Sequence, residues 1–393
     1  MKIFMGLIAV VSLQGALAYH VEREYAWKNI TFEGIDQASY NIENSIPTAF
    51  VHDALSKKII IAIPRLYPQV PITLTQLDTT KHPERSPPLE KFPGSDKLTS
   101  VYQPMLDECR RLWIVDVGQV EYKGDEQKYP KKNPAIIAYD LTKDNYPEID
   151  RYEIPINIAG NQIGFGGFTV DVTNPKEGCG KTFIYITNFE DNTLIVYDQE
   201  KKDSWKISHG SFKPEHESNF SHNGAQYKYK AGIFGITLGD RDPEGNRPAY
   251  YLGGSSTKLF EVSTEALKKK GAKFDPVRLG DRGRHTEAIA LVYDPKTKVI
   301  FFAESDSRQI SCWNTQKPLN HKNTDVIYAS SKFIFGTDIQ IDSDSQLWFL
   351  SNGQPPIDNL KLTFDKPHIR LMRVDTKNSI RRTRCEVKPI KKP

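Results

Sequence analysis

The groups best suited to chemistry in this chain are dispersed aromatic and polar residues: Tyr102, Phe168, Phe234, Glu287 and Thr337, with Asn188, Asn352 and Gln354. Gathered around one cavity, they would offer ring faces, a hydroxyl, amides and carbonyl acceptors. A small aromatic amine matches that set, because its ring stacks while its ammonium finds oxygen acceptors and cation–π contacts. The alternative is that the aromatics pack a core and the polar groups satisfy one another. Glu287 also admits an enzyme reading, as a base or, with Asn188, as a metal ligand.

Compact catalytic motifs are missing. There is no GxSxG turn or HExxH pair, and the four cysteines lack CxxC spacing, so serine-hydrolase and zinc readings have little support. GCGKT at Gly178 has Pro175 where a phosphate loop needs its first glycine. GFGGFT at Gly164 has Thr169 where a dinucleotide loop needs its third, so both read as turns. Asp240, Asp242 and Glu244 before Gly245 open like a calcium loop, but the twelfth position is Tyr251. A hairpin turn is the better reading.

The elements that must position the dispersed residues recur along the chain. Six times an apolar run meets an acidic turn and a second apolar run follows, as in SVYQPMLDECRRLWIVDVG from Ser100 and FGTDIQIDSDSQLWFLSNG from Phe335. The turn acids are Asp53, Asp107, Asp171, Asp240, Asp294 and Asp342, 48 to 69 residues apart. Each copy reads as a β-hairpin, with room before the next for two more strands, such as Ala135 to Leu141, Thr193 to Gln199 and His368 to Val374. The expected fold is therefore all-β, a six-bladed propeller with a central channel. No Gly/Ser-rich or charge-block linker interrupts the repeats, so residues 19–393 form one domain. Ser263 to Gly271 is the clearest short helix, with Ser263 as its cap. Tyr25 to Glu33 has strand character and is expected to close the ring as the outer strand of the last blade.

In a propeller the first strand of each repeat lines the axis. Continuous antiparallel pairing in the sixth copy puts Thr337 opposite Asn352, and in the second copy it puts Tyr102 near Asp116. The eight residues named at the outset then surround one mouth of the channel.

Residues 1–18 read as a secretory signal, with Lys2, the apolar run IFMGLIAVVSL and Ala16-Leu17-Ala18 before the cleavage point. No later apolar run is long enough for a membrane anchor, so the mature chain is expected to be soluble, secreted and monomeric. Asn29 and Asn219 stand in glycosylation sequons. Two disulfides are expected in that setting. Cys109 and Cys179 fall in equivalent turns of adjacent copies, which pairs them and leaves Cys312 with Cys385. The formal charge of +4 becomes +3 once Lys2 is removed, too small to imply nucleic-acid binding. The tail RRTRCEVKPIKKP is locally basic, a solvated end or a weak polyanion contact.

YAWKNITFE, LTSVYQPMLDECRRLWIVDVG, AGIFGITLGDRDPEGNRPAYYL and FGTDIQIDSDSQLWFLSNG together resemble the yellow/major royal jelly protein family, in particular the salivary yellow-related proteins of sand flies. The resemblance covers essentially the whole mature chain. It implies a six-bladed propeller that sequesters host biogenic amines such as serotonin, histamine and catecholamines during blood feeding. It implies no cofactor. The amine would be held by Thr337, Asn352 and the main-chain carbonyl of Gln354, which stands where an aromatic residue can occur. Dopachrome conversion and lactonase chemistry are the enzyme alternatives. A non-catalytic role at host or microbial surfaces, through the charged outer rim, is a third.

Overall fold

The computed structural model describes residues 21–386, apart from 121, 123–127, 161, 223–224 and 354–363. Residues 1–18, read above as a secretory signal, Gln354 and the end of the basic tail lie outside the described residues.

Six four-stranded antiparallel sheets follow one another along the chain. The inner strands are Ala49–Asp53, Val101–Leu106, Phe165–Val172, Ile233–Leu238, Ala288–Asp294 and Phe335–Ile341 of blades 1 to 6. Burial is greatest in the middle strands and falls toward the outer one. In blade 2 the second strand, Arg111–Asp116, is buried at every position, whereas the outer strand, Glu148–Glu153, is mostly exposed. Continuously apolar second strands suit a site covered on both faces by neighbouring blades. The core accordingly lies between blades: Ile60 and Leu74 of blade 1 pack with Leu112, Ile114 and Ile137 of blade 2.

The same packing bridges the two ends of the chain. Phe50, Ile59 and Ile61 of blade 1 share a cluster with Trp348, Leu350 and Leu371 of blade 6. Arg23–Trp27 completes blade 6 as its outer strand, pairing antiparallel with Ile369–Asp375. The expected ring closure is therefore present, with the strand ending at Trp27 and Phe32 bridging separately to Leu89. An outer strand drawn from the other end of the chain means that blades 1 and 6 cannot part without breaking this ladder.

The turn acids organise the opposite end of each inner hairpin. Asp107 accepts from the N–H groups of Cys109 and Arg111, from Arg111 Nε at 2.7 Å and from Trp113 Nε1 at 2.8 Å. Asp342 repeats the device with the N–H groups of Asp344 and Gln346, Trp348 Nε1 at 2.9 Å and His52 at 2.7 Å. Burial opposes the Asp342 carboxylate, but these bonds outweigh it and hold its pKa below the ordinary value. The turn-final Arg110 and Ser345 occupy the left-handed region, with φ of 56° and 61°, as a tight reversal into the second strand requires. Asp240, the first acid of the calcium-like run, is engaged across the blade boundary by Tyr293 and Lys298.

Both expected disulfides are present, Cys109–Cys179 between the turns of blades 2 and 3 and Cys312–Cys385 from blade 5 to the tail. The short helix is Thr264–Leu267, capped by Ser263. Between blades 3 and 4 the chain adds a separate two-stranded hairpin, Ser218–His222 with Ala225–Tyr229. Its Phe220 is buried edge-on against Phe335, with ring centroids 5.3 Å apart.

Candidate functional site

Five of the six inner strands break register near their starting ends. The breaks fall between Val101 and Pro104, Phe165 and Gly167, Ile233 and Gly235, Ala288 and Ala290, and Gly336 and Asp338. A bulge leaves its extra residue outside the ladder and re-aims the side chain. The skipped residues, Tyr102 with Gln103, Gly166, Phe234, Ile289 and Thr337, all line one central cavity.

This corrects the continuous pairing predicted above. Asn352 stands opposite Phe335 rather than Thr337, and Asp116 opposite Val101 rather than Tyr102. Thr337 and Asn352 nevertheless line the same cavity, because the bulge turns Thr337 inward.

The cavity encloses about 170 Å³, comparable to the ~150 Å³ space that holds a benzene ring in another protein. One wall is aromatic: Phe234 stacks on Phe189 with centroids 4.8 Å apart and planes at 15°, and Phe168 and Tyr102 add further faces. Gly166 makes this wall possible, because a Cβ there would sit 2.8 Å from the Phe234 ring. The polar groups divide into committed and uncommitted ones. Gln103 Oε1 accepts from the Phe168 N–H at 2.9 Å, and Asn352, 1% exposed, donates through Nδ2 to the Pro47 carbonyl at 2.9 Å. Thr337 Oγ1 is buried and has no hydrogen-bond partner. A native protein rarely leaves such an atom unsatisfied without a reason.

Asp338 also lines the cavity and went unrecognised in the sequence. Its carboxylate accepts from the N–H groups of Phe50 and Ile339 and from Gln340 Nε2 at 3.0, 2.9 and 3.1 Å, linking blades 6 and 1. Burial outweighs these bonds and pushes its pKa up to about 7.

Of the eight residues singled out in the sequence, Tyr102, Phe168, Phe234, Thr337 and Asn352 line the cavity. Asn188 does not. Its side chain is fully buried in backbone bonds, accepting from the N–H groups of Gly164 and Asp191 and donating to the carbonyls of Ala159 and Gln162. Glu287 lies in a separate cleft, where His216 meets it at 2.8 Å, so a base or metal ligand at that position would not face the channel. The main-chain carbonyl of Gln354 lies outside the described residues. Gln103, Phe189 and Asp338 are the additions. Phe189 directly follows Asn188 and Asp338 directly follows Thr337, so a bulge in the assumed register would have pointed to both.

The sequence profile of the family described as major royal jelly protein matches residues 99–385. Curated relatives match over the full length. The yellow-related salivary protein ASP4 of Phlebotomus orientalis is 84% identical over 391 residues, covering 100% of both chains. SP03B of Phlebotomus perniciosus is 80% identical, again over 100% of both. LJM11 of Lutzomyia longipalpis is 51% identical, covering 98% of this chain and 100% of the relative.

Proposed function

The chain belongs to the major royal jelly protein family, among its yellow-related members, and from the chemistry of its channel we propose that it binds small aromatic amines without converting them. The observation that carries this reading is Thr337: a buried, unpartnered hydroxyl in a ring-sized cavity with a stacked aromatic wall. An ammonium supplies the donor that this oxygen lacks, while the attached ring lies against Phe234, Phe168 and Tyr102. Asp338 adds negative charge to the wall once it ionises. Serotonin, histamine and catecholamines belong to this class, and the reading calls for no cofactor.

The names of the relatives place them in saliva. The apolar leader and the two disulfides accord with a secreted protein. In saliva such a protein would act as a stoichiometric trap, lowering free amine during blood feeding by mass action. One site removes one ligand, so the trap needs abundant protein and a dissociation constant near local amine levels. A micromolar constant corresponds to about −8 kcal/mol, within reach of a small ligand buried in this way. In the secretory route the exposed Asn219 and the half-buried Asn29 would be acceptors for glycosylation.

Titration calorimetry with serotonin, histamine and dopamine, followed by chromatography of the recovered ligand, tests the reading. Saturable binding near one ligand per chain with unchanged ligand supports it. A converted product accumulating over many turnovers, or no binding by any amine, contradicts it.

A further inference from the structure

A second cavity opens beside the Ser218–Tyr229 hairpin, at the end of the ring where the inner strands begin. Glu287 precedes the inner strand of blade 5, Asp306 follows its second strand, and Asp281 ends the outer strand of blade 4. Antiparallel order brings all three to that end, and all three line the cavity.

Its chemistry differs from that of the channel. The described lining contains no Phe, Tyr or Trp, and it sets Glu217, Asp281, Glu287 and Asp306 against one arginine, Arg284. Glu217 is paired with Lys228 at 2.8 Å, which leaves Asp281, Glu287 and Asp306 facing Arg284 and the two lining histidines, His216 and His285. Each of three acids is engaged through one oxygen. Asp281 Oδ1 accepts from Thr257 Oγ1 and the Gly283 N–H, Asp306 Oδ2 meets His285 Nδ1, and Glu287 Oε1 meets His216 Nε2, at 2.8, 2.9, 2.8 and 2.8 Å. Glu287 Oε2, however, is buried without a partner. Ser218, a cavity-lining residue only 2% exposed, has the Tyr229 hydroxyl as its side-chain neighbour. An orphaned carboxylate oxygen in an acidic wall costs stability unless a cationic donor satisfies it.

The spacing of the acids indicates the kind of cation. Among the described residues, only Glu33, His82 and Glu90, elsewhere on the molecule, bring three ligand atoms within 4.8 Å of one another. The acids of this cavity do not converge to that degree, so a single compact ion would leave some of them unsatisfied. A flexible chain carrying several ammonium groups reaches them in turn, and the absence of ring faces disfavours an aromatic ligand. We propose that this cleft is a second binding site, independent of the channel, for aliphatic polyammonium compounds. One ammonium donates to Glu287 Oε2, and another pairs with Asp306 and Asp281.

The test is titration calorimetry of spermidine into the full mature protein at low salt, with Glu287→Gln, Asp306→Asn and Thr337→Val variants alongside. Expected is saturable binding near one per chain, weakened about tenfold or more by either acid substitution, reduced by added salt and unchanged in Thr337→Val. Glu287 is largely buried, so its substitution carries a risk to folding. Asp306→Asn carries less of that risk, because the Asp306 side chain is 21% exposed against 13% for Glu287 and its partner His285 is 78% exposed. The proposal is overturned by the absence of saturable spermidine binding, by binding that Asp306→Asn leaves intact, or by binding that Thr337→Val abolishes. It is also overturned if calcium ion alone occupies the cleft and excludes spermidine.

Discussion

The two ends of the ring are built on opposite terms. At the turn end, polar groups are engaged repeatedly: Asp107 and Asp342 each accept from two backbone N–H groups and a tryptophan, and Cys109–Cys179 joins two of the turns. At the end where the inner strands begin, register breaks recur in the inner hairpins, and the unpartnered Thr337 Oγ1 and Glu287 Oε2 belong to residues that line the channel and the cleft; the turn end has unpartnered buried oxygens too, on Asp171 and Gln346, but neither residue lines these two cavities. The difference teaches that this propeller keeps its stability in the turns and its binding capacity in the bulges. A substitution at one end should therefore affect a different observable from a substitution at the other.

The sharpest way to break that division is at Asp107. Its carboxylate and Arg111 are both buried, so Asp107→Ala leaves an unpaired guanidinium inside the protein and should cost about 3–5 kcal/mol. Denaturant unfolding should report that loss, while amine affinity of the folded protein stays the same; a parallel fall in affinity would merge the two ends. Removing Cys109–Cys179 should act in the same direction by about 2–5 kcal/mol.

Thr337→Val should do the reverse. A hydrogen bond to a charged group contributes about 1.5–3 kcal/mol, so amine binding weakens roughly 10- to 150-fold by calorimetry. The unfolding midpoint should hold or rise, since a buried orphan hydroxyl is removed. Asn352→Leu is a poorer probe, because it also breaks the bond to Pro47 and should lower affinity and stability together.

The smallest expected effect is that of pH. Asp338 has its pKa raised to about 7 by burial. For an acid raised in the folded state, the contribution to stability is fully present below the unfolded pKa and is lost as pH rises through the folded one. Stability should therefore decline between about pH 4 and 7 and level off above that. Amine affinity should climb around the folded pKa, between about pH 6 and 8, as the carboxylate ionises, by roughly fivefold if the ion pair gives about 1 kcal/mol. Asp338→Asn should flatten both trends, and an affinity that stays level with pH in the parent protein would remove Asp338 from the binding account.

Hairpin recurrence made the fold legible, because alternating apolar runs around acidic turns can hardly be anything else six times over. The disulfides and the closing strand followed from aligning the repeats. Register was less accessible. A bulge adds one residue and reverses which side chains face the axis, and nothing in FGTDIQI announces it. Continuous pairing therefore reached Thr337 for an incorrect reason and missed Asp338 beside it. Asn188 looked like a channel group because it ends a second strand as Asn352 does, yet the loop before Phe165 folds over its amide and consumes it. The inserted hairpin fell between repeats, although the Asn223-Gly224 pair between its strands is a strong hairpin signal.

The most direct test of the central claim is a crystal structure of the protein with serotonin. The account predicts the indole against Phe234 in the central cavity and the ammonium nitrogen about 2.7–3.2 Å from Thr337 Oγ1. Serotonin found instead in the acidic cleft beside Glu287, or in the channel with its ammonium directed away from Thr337, would contradict it.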